Sequence, residues 1–348
     1  MPDQLQVPLG PLTTLGVGGP AARVVTAGSA AELVAAVADA DAAGEPVLVL
    51  AGGSNVVVAD AGFPGTVVLV RTRGIATMRD GTGATRLTAQ AGEPWDDLVA
   101  RCVDRGLSGL ECLSGIPGST GATPIQNVGA YGQEVADTVV AVRAWDRVER
   151  CTVELSRADC RFDYRDSMLK HTDRYVVLDV TFELTPERQC RALRYAELAA
   201  AVGEEIGGRV PLAQARDAVL RLRRGKGMVI DPADPDSRSA GSFFTNPVLT
   251  TADYETLVHR AGASPPHWPQ PDGRVKVPAG WLIERAGFGR GFGEGRVRVS
   301  TKHSLALTNR GGATAQELLG LARDIRAGVR REFGVDLVNE PVLVGLNW

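Results

Sequence analysis

The sequence predicts an α+β fold with more than one domain, and three observations support this prediction. The chain has 348 residues, which at about 150 residues per domain corresponds to two or three domains. Strand-like and helix-like segments alternate in residues 21–51, and strand-like segments return in 139–184. From about residue 190 the pattern changes to separate helices and loop-rich stretches. We therefore expect a domain boundary near residue 200, between residues 1–200 and 201–348.

The N-terminal segment predicts a strand, a capped helix and a second strand. Ser29 followed by Glu32 forms a capping box for an apolar helix, and Gly44 ends that helix. The strand PVLVLA then leads through the loop GGSN, residues 52–55, into the β-branched run VVV. A helix would follow the glycines in a Rossmann unit, so a strand here indicates another kind of glycine loop.

The middle of the chain predicts a helix, a long loop and an antiparallel sheet. PWDDLVARCVDRGL is helix-like with Pro94 near its start. Residues 109–134 are rich in glycine and show little periodicity. A loop of this length inside a compact domain usually has a function. The segments VVAVRAWD, CTVEL and YVVLDVTFEL then predict antiparallel strands.

The C-terminal part predicts two helices, a loop-rich region and a last strand. The first helix has Pro211 at its start, and residues 229–300 are loop-rich. Thr314 and Glu317 form a second capping box, and Gly334 ends the helix that follows. The final strand is PVLVGLNW, which we expect to pack back on the N-terminal domain.

Composition excludes several functional classes. The net charge of −3 argues against a nucleic-acid-binding protein, which needs a basic surface. No apolar run approaches the roughly 20 residues that span a bilayer, and the start MPDQLQVPLG does not resemble a signal peptide. The five cysteines form no CxxC motif, and the four histidines are never paired at i, i+4, so no metal site is predicted. We expect a cytoplasmic protein that neither inserts into a membrane nor binds nucleic acid.

Familiar nucleotide and hydrolase motifs are missing or incomplete. GVGGPA, residues 16–21, fits a dinucleotide fingerprint formally, but no strand precedes it. The segment at Lys226 lacks the Ser or Thr of a P-loop, and no G-x-S-x-G occurs. The 52–55 loop is equally compatible with a phosphate-binding nest and with a tight turn. The 109–134 loop allows close backbone approach to a flat ligand, or it is a surface Ω-loop.

Two polar segments are candidate functional sites. In YRDS, Arg165 could bind a substrate carboxylate with both nitrogens, or it could pair with Asp163 or Asp166 on the surface. In AGSFFTNP, Ser242 and Asn246 flank two phenylalanines, and no histidine lies nearby in the chain to activate the serine as a nucleophile.

Seven blocks, taken together, resemble one enzyme family. They are AGGSNVVV, SGIPGSTGATPIQNVGAYG, YRDSMLK, GSFFTNPV, AGWLIERAG, TKHSLALTN and NEPV, in this order. They are similar to the signature blocks of the UDP-N-acetylenolpyruvoylglucosamine reductases (MurB family, type I) of peptidoglycan synthesis. The resemblance implies a two-lobed FAD-binding domain of the PCMH, or vanillyl-alcohol-oxidase, type, split here near residue 65, and a smaller α+β substrate-binding domain.

The resemblance also implies roles for individual residues. Non-covalent FAD would be bound by Gly52, Gly53, Ser54, Asn55, Ile116, Pro117, Gly118, Ser119, Gly121, Ala122, Asn127, Gly129 and Tyr131. The nucleotide sugar would be bound by Tyr164, Tyr195, Lys226 and Asn246. The catalytic residues would be Ser242, Arg165 and Glu340. The last block departs from an L-E-P-E-V form, so two alignments of the catalytic glutamate with this block are possible. Counting back from the glycine of the last strand places Glu340 at the catalytic position. No role follows for Lys302 or His303.

The implied reaction uses NADPH to reduce FAD, and the enolpyruvyl ether of UDP-N-acetylglucosamine then occupies the same flavin face. Hydride would pass from flavin N5 to C3, and Ser242 would protonate C2. Arg165 and a protonated Glu340 would stabilise the intermediate, which requires a carboxyl with a raised pKa. We expect a monomer.

Two other readings compete with this one. A different flavin oxidase of the superfamily is disfavoured because many of those bind FAD through a histidine, and the first histidine here is His171, after both glycine-rich loops. A catalytically inactive nucleotide-binding protein is disfavoured because Arg165, Ser242 and Glu340 occur together.

Overall fold

The computed structural model describes residues 4–79, 81 and 83–348. The chain forms two compact units, and each is built from segments that are discontinuous in sequence. Unit 1 comprises Met1–Val7, Ala21–Gly52 and Pro64–Gly225. Unit 2 comprises Pro8–Pro20, Gly53–Phe63 and Lys226–Trp348.

Unit 1 contains most of the strands. Its strands are β1 (Gln4–Pro8), β2 (Pro20–Ala27), β3 (Val47–Leu50), β5 (Phe63–Val70), β6 (Ile75–Arg79), β7 (Thr85–Gln90), β8 (Leu107–Ser108), β9 (Gly129–Ala130), β10 (Gln133–Glu134), β11 (Val139–Asp146), β12 (Cys151–Ser156) and β13 (Tyr175–Pro186). Its helices are α1 (Ala30–Ala42), α2 (Trp95–Asp104), α3 (Arg157–Cys160), α4 (Ala196–Val202) and α5 (Leu212–Gly225).

Two sheets organise unit 1. One has the order β1-β2-β5-β3, in which β3 and β5 are parallel, and helix α1 connects β2 to β3. The other has the order β12-β11-β13-β7-β6 with β8 beside β13, and its β11, β12 and β13 pairings are antiparallel as predicted. Strand β6 was not predicted because most of its side chains are exposed and give no alternating pattern. Trp95 and Phe182, both fully buried, pack 5.8 Å apart between the rings in the core.

Helix α1 begins as its sequence predicts. The hydroxyl of Ser29 accepts a hydrogen bond from the backbone N–H of Glu32 at 3.2 Å, and the Glu32 carboxylate accepts one from Gly28 N at 2.7 Å. Gly44 follows the helix with a φ of 69°, the left-handed conformation that terminates helices.

Unit 2 contains the C-terminal helices and short strands. These are β4 (Val56–Val58), β14 (Val248–Leu249), α6 (Thr251–Ala261), β15 (Trp268–Pro269), β16 (Val275–Lys276), α7 (Ala279–Arg285), β17 (Val297–Val299), β18 (Leu307–Asn309), α8 (Ala315–Phe333) and β19 (Val342–Val344). Helices α6 and α7 lie in the predicted loop-rich region. A capping signal for α6 was present, since Thr250 accepts from Asp253 N at 3.1 Å and Gly262 ends the helix.

The last strand pairs with the strand that follows the GGSN loop. Strand β19 is parallel to β4, with Val342 opposite Val56 and Val344 opposite Val58. Helix α8 begins at the predicted Thr314–Glu317 capping box and ends at Gly334. The Asp60 carboxylate, just after β4, accepts hydrogen bonds from the N–H groups of Ala315 (2.7 Å) and Gln316 (3.0 Å). The negative charge at this helix N-terminus also interacts favourably with the helix dipole.

Within the described residues, no helix combines the length and apolar character needed to cross a membrane.

Candidate active site

The AGSFFTNP segment and the NEP segment lie side by side in unit 2. Glu340 N–H donates to Phe243 O at 2.8 Å, and Thr245 N–H donates to Val338 O at 3.0 Å. An antiparallel bridge joins Phe244 to Asn339 between these two hydrogen bonds. The predicted catalytic residues Ser242 and Glu340, about a hundred residues apart in the chain, are therefore carried on adjacent extended segments.

Two aromatic rings fix the serine segment. Phe243 and Phe244 are each 1% exposed, and their ring centroids lie 5.2 Å apart in an edge-on arrangement. Trp348 packs against both rings at 6.1 Å. Ser242 itself is only partly buried, so its backbone is held while its hydroxyl can meet a ligand.

His303 is a site residue that sequence reasoning missed. Its Nε2 lies 3.5 Å from Ser242 Oγ, at the long limit for a hydrogen bond. The backbone N–H of His303 donates to Ser300 Oγ at 3.2 Å, which orients the turn between β17 and β18. The chain separation of 61 residues hid this contact, and the TKHS block was its only sequence signal.

Asn246 and Lys226 occupy different positions in unit 2. The side-chain carbonyl of Asn246 accepts from Ala279 N at 2.9 Å and so fixes the first turn of α7. Its Nδ2 group is the part that can serve a ligand. Lys226 is the first residue of unit 2 after the third segment of unit 1.

The second half of the GGSN loop is joined to the C-terminal strand. Asn55 Nδ2 donates to Glu340 O at 3.3 Å, and Val342 N–H donates to Asn55 O at 2.9 Å. Gly53 has a φ of 61°, and a Cβ there would lie 2.1 Å from Leu12 O. Only glycine fits this position.

The first half of the same loop lies against the 109–134 loop in unit 1. A Cβ on Gly52 would lie 2.6 Å from Gly118 Cα, so the two backbones are in direct contact. A Cβ on Gly121 would lie 2.4 Å from Ala91 Cβ. The 109–134 loop also contains two short 3₁₀ turns and the β9–β10 hairpin.

The YRDS segment is fixed on the 109–134 loop. Arg165 Nη2 donates to Gly129 O at 2.6 Å, and Ser167 Oγ donates to Ile125 O at 2.6 Å. Asp163 and Asp166 exchange two backbone hydrogen bonds, which places Tyr164 and Arg165 at the tip of a tight turn. Asn127, 1% exposed, donates to Asp163 O at 3.0 Å and ties the same loop to this turn.

Three of the predicted site residues have left-handed backbone conformations. Asn127, Tyr131 and Arg165 have φ values of 46°, 49° and 54°. Each left-handed non-glycine residue costs roughly 1–2 kcal/mol. Such strain persists only where the surroundings enforce it and is commonly found at functional sites, but Gln6, Arg150 and Arg161 share it outside the predicted site residues.

Tyr131 and Tyr195 form a perpendicular pair. Their ring centroids lie 5.5 Å apart with an interplanar angle of 86°, and Tyr195 is 44% exposed. Burial raises the pKa of Tyr131 to about 12 against the opposing effect of the Arg223 charge, and burial also raises the pKa of Tyr195. Both hydroxyls are therefore protonated donors at neutral pH.

Comparison with known proteins decides the family. Residues 21–152 match the family model of an FAD binding domain, and residues 232–344 match that of the UDP-N-acetylenolpyruvoylglucosamine reductase C-terminal domain. The UDP-N-acetylenolpyruvoylglucosamine reductase of Thermobifida fusca is 57% identical over 346 residues, covering 98% of this chain and 97% of that protein. That of Salinispora arenicola is 59% identical over 337 residues, covering 95% and 93%.

The chain belongs to the UDP-N-acetylenolpyruvoylglucosamine reductase family. The crystal structure of the reductase (MurB) from Thermus caldophilus has the same fold, with a TM-score of 0.66, 26% identity and coverage of 99% and 98% of the two chains. The family resemblance and the α+β, FAD-binding fold predicted from the sequence are confirmed.

FAD is the cofactor of this reductase, and the residues present fit it. Glycine at positions 52 and 121 lets the backbone pack closely, since an added Cβ would lie 2.6 Å from Gly118 Cα and 2.4 Å from Ala91 Cβ, and glycine loops of this kind can form nests for phosphate oxygens. Asn127 and Arg165 hold the adjacent loop in place through hydrogen bonds of 3.0 Å and 2.6 Å.

We expect Gly52→Ala to weaken FAD binding by at least tenfold. The added methyl would meet Gly118 Cα at 2.6 Å, and the two loops would have to separate. Retention of FAD after gel filtration and titration of the apoprotein with FAD measure the effect. The control is Gly320→Ala in α8, where an added Cβ meets no atom within 4 Å. Equal FAD affinity in the two variants would contradict the assignment.

Proposed function

We propose that this chain reduces UDP-N-acetyl-3-O-(1-carboxyvinyl)-glucosamine to UDP-N-acetylmuramate for peptidoglycan synthesis, with NADPH as the reductant. The observation that carries the proposal is the pairing of the Ser242 segment with the Glu340 segment through the 2.8 Å hydrogen bond from Glu340 N to Phe243 O. It places Ser242 and Glu340 on adjacent segments, which supports their proposed roles as proton donor and carboxyl group in a chain of the reductase family. The names of the relatives support the choice of substrate.

The two glycine-rich loops would hold FAD, which when bound would supply the hydride chemistry between NADPH and the vinyl carbon C3 of the sugar nucleotide. Electron density then moves into the substrate carboxylate. Arg165 and protonated Glu340 stabilise this charge, since preorganised donors facing a developing oxyanion contribute about 3–4 kcal/mol each. The guanidinium is held by Gly129 O and by the turn geometry described above, so little reorganisation is needed.

Ser242 supplies the proton that completes the reaction at C2. A hydroxyl is a weak acid, but the acceptor is a carbanion, and positioned proton transfer contributes about 10²–10⁴-fold. The serine oxygen loses a proton in this step and must regain one. His303 Nε2, 3.5 Å away, is placed to return it when the imidazole is protonated. Ser242 thus acts as an acid, and no histidine–serine nucleophile is required.

The remaining predicted contacts position the nucleotide sugar. Lys226 is proposed to bind the diphosphate, and Asn246 the sugar nucleotide through its Nδ2 group. Tyr164 lines the site, and Tyr195 closes over the uridine diphosphate. The assignment of FAD binding to residues 1–200 and of substrate binding to residues 201–348 remains a prediction, as do a cytoplasmic location, a monomeric state and the absence of nucleic-acid or membrane partners.

A visible spectrum tests the proposal at its first step. We expect the purified protein to show flavin absorption that NADPH bleaches under anaerobic conditions. Oxidation by the enolpyruvyl sugar nucleotide should restore the absorption. A colourless protein that cannot be reconstituted with FAD would refute the proposed activity.

A further inference from the structure

Glu111 is a buried carboxylate that the proposed chemistry does not use. It is 1% exposed. Its Oε1 accepts hydrogen bonds from Gln133 Nε2 (3.0 Å), Arg191 N (2.9 Å) and Ser108 Oγ (3.3 Å). Its Oε2 accepts from Gly109 N at 2.6 Å. A buried carboxylate is stable only when its oxygens accept hydrogen bonds in this way. The donors to Glu111 come from segments that are far apart in the chain.

One of these donors controls the turn that carries Tyr131. Gln133 pairs with Ala130 across the β9–β10 hairpin, and Tyr131 and Gly132 form its two-residue turn with φ values of 49° and 81°. The Gln133 side chain is held at both ends, since its Oε1 also accepts from Cys112 N at 2.9 Å. Two positive φ values are typical of a type I′ turn, which normally uses Asn-Gly. The strained Tyr131 conformation therefore depends on a fixed hairpin base.

A second donor controls the segment that carries Tyr195. Arg191 N–H donates to Glu111 Oε1, four residues before Tyr195. Leu193 N–H donates to Gly208 O at 2.9 Å, which fixes the intervening chain from its other side. A Cβ on Gly132 would lie 2.7 Å from Arg194 Cβ, so the hairpin turn lies directly against this segment. The two tyrosine-bearing segments thus share a single carboxylate oxygen.

We propose that Glu111 is a positioning residue that sets the separation of Tyr131 and Tyr195 and thereby the affinity of the site for the nucleotide sugar. This inference rests on the proposed function, in which Tyr195 closes over the uridine diphosphate. Glu111 touches neither substrate nor cofactor. It acts by holding the base of the β9–β10 hairpin and the start of the Tyr195 segment at a fixed distance from each other.

The conservative substitution Glu111→Gln tests the inference. The glutamine amide has one oxygen, which accepts, and one NH₂ group, which donates. The donors to one of the two Glu111 oxygens would therefore face the NH₂ group and lose their acceptor. A buried donor left without an acceptor destabilises the arrangement to which it belongs. If this destabilisation displaces Tyr131 and Tyr195 from their present positions, the Kd for UDP-N-acetylmuramate and the KM for the enolpyruvyl substrate should each rise by about tenfold. We expect kcat at saturation to change by less than about threefold.

A matched control separates positioning from stability. Asp146 is also a buried carboxylate of unit 1, 2% exposed, and it accepts from Arg174 Nη2 at 2.6 Å and from Val148 N at 2.9 Å. Asp146→Asn should lower the Tm without changing KM. Should Glu111→Gln fail to fold, Gln133→Leu removes the hairpin's bond to Glu111 and the bond from Cys112 N, keeps the Arg191 bond to Glu111, and should raise the same Kd.

A double mutant identifies the route of the effect. If Glu111 acts through the tyrosine pair, Glu111→Gln should add little to the loss of affinity caused by Tyr195→Ala, because residues acting as one unit are not additive. A lower Tm with unchanged Kd and KM, or fully additive losses, would overturn the inference. A wild-type protein that binds no uridine diphosphate sugar would instead overturn the proposed function.

Discussion

Replacing Ser242 with alanine is expected to slow the oxidation of reduced FAD by the enolpyruvyl substrate by about 10²–10⁴-fold. The change removes the proposed donor of the C2 proton. The reduction of FAD by NADPH involves no proton transfer to carbon and should stay within about twofold of wild type. Stopped-flow measurement of the flavin absorbance in each half-reaction separates the two rates.

Folding defects must be excluded in this experiment. Phe243 and Phe244 are 1% exposed and pack against each other and against Trp348, so the loss of one hydroxyl should not displace the segment. Ser239→Ala is a suitable control, because Ser239 is a buried serine of the same segment, whose Oγ accepts from Gly241 N at 3.2 Å. Similar slowing of both half-reactions in Ser242→Ala would rule out the donor role.

Replacing Glu340 with alanine is the second large expected effect, a loss of about 10²–10³-fold in the substrate half-reaction. The carboxyl group is proposed to donate a hydrogen bond to the charge that develops on the substrate carboxylate. Glu340→Gln retains an N–H donor in nearly the same place and should lose less than the alanine variant. Rates of flavin oxidation at saturating substrate measure both effects.

The matched control for Glu340 is Glu317, the alternative acid. In the structure the Glu317 carboxylate accepts from Thr314 N at 2.8 Å and pairs with Arg296 at 2.9 Å. These contacts lower the pKa of Glu317 and belong to the N-terminus of α8. Glu317→Gln should therefore reduce stability with no change in either half-reaction. Selective loss of the substrate half-reaction in Glu317→Gln, with none in the Glu340 variants, would show that the chosen register is wrong.

Sequence patterns predicted the elements whose signals are local. Ser29, Thr314 and Gly334 mark helix ends through side-chain caps and a left-handed glycine, and these depend only on residues a few positions away. The three central antiparallel strands have long β-branched runs and were predicted for the same reason. Helix α7 was missed because its seven residues lie between prolines and glycines, where short-range patterns predict a loop.

The site itself depends on contacts that local patterns do not contain. The pairing of the Ser242 segment with Glu340 and the approach of His303 to Ser242 join residues far apart in the chain. Only the order of the family blocks suggested the first of these contacts. Glu111 gave no signal, because a single glutamate in a glycine-rich loop is indistinguishable from a surface residue until its burial and four donors are known.

Each of the two compact units is assembled from several separate segments of the chain. Segments Pro8–Pro20 and Gly53–Phe63 belong to unit 2 although they precede most of unit 1 in the chain. The parallel pairing of β4 with β19 accounts for the second of these segments. Changes in composition along the sequence cannot reveal that these early segments belong to unit 2, because hydrogen bonds between strands that are distant in the chain place them there.

Anaerobic mixing of the NADPH-reduced protein with the enolpyruvyl ether of UDP-N-acetylglucosamine tests the central claim most directly. We predict rapid return of the oxidised flavin spectrum with formation of one UDP-N-acetylmuramate per flavin, and in D₂O one deuterium incorporated at C2. A flavin that stays reduced in the presence of this substrate, in protein that NADPH reduces normally, would contradict the account.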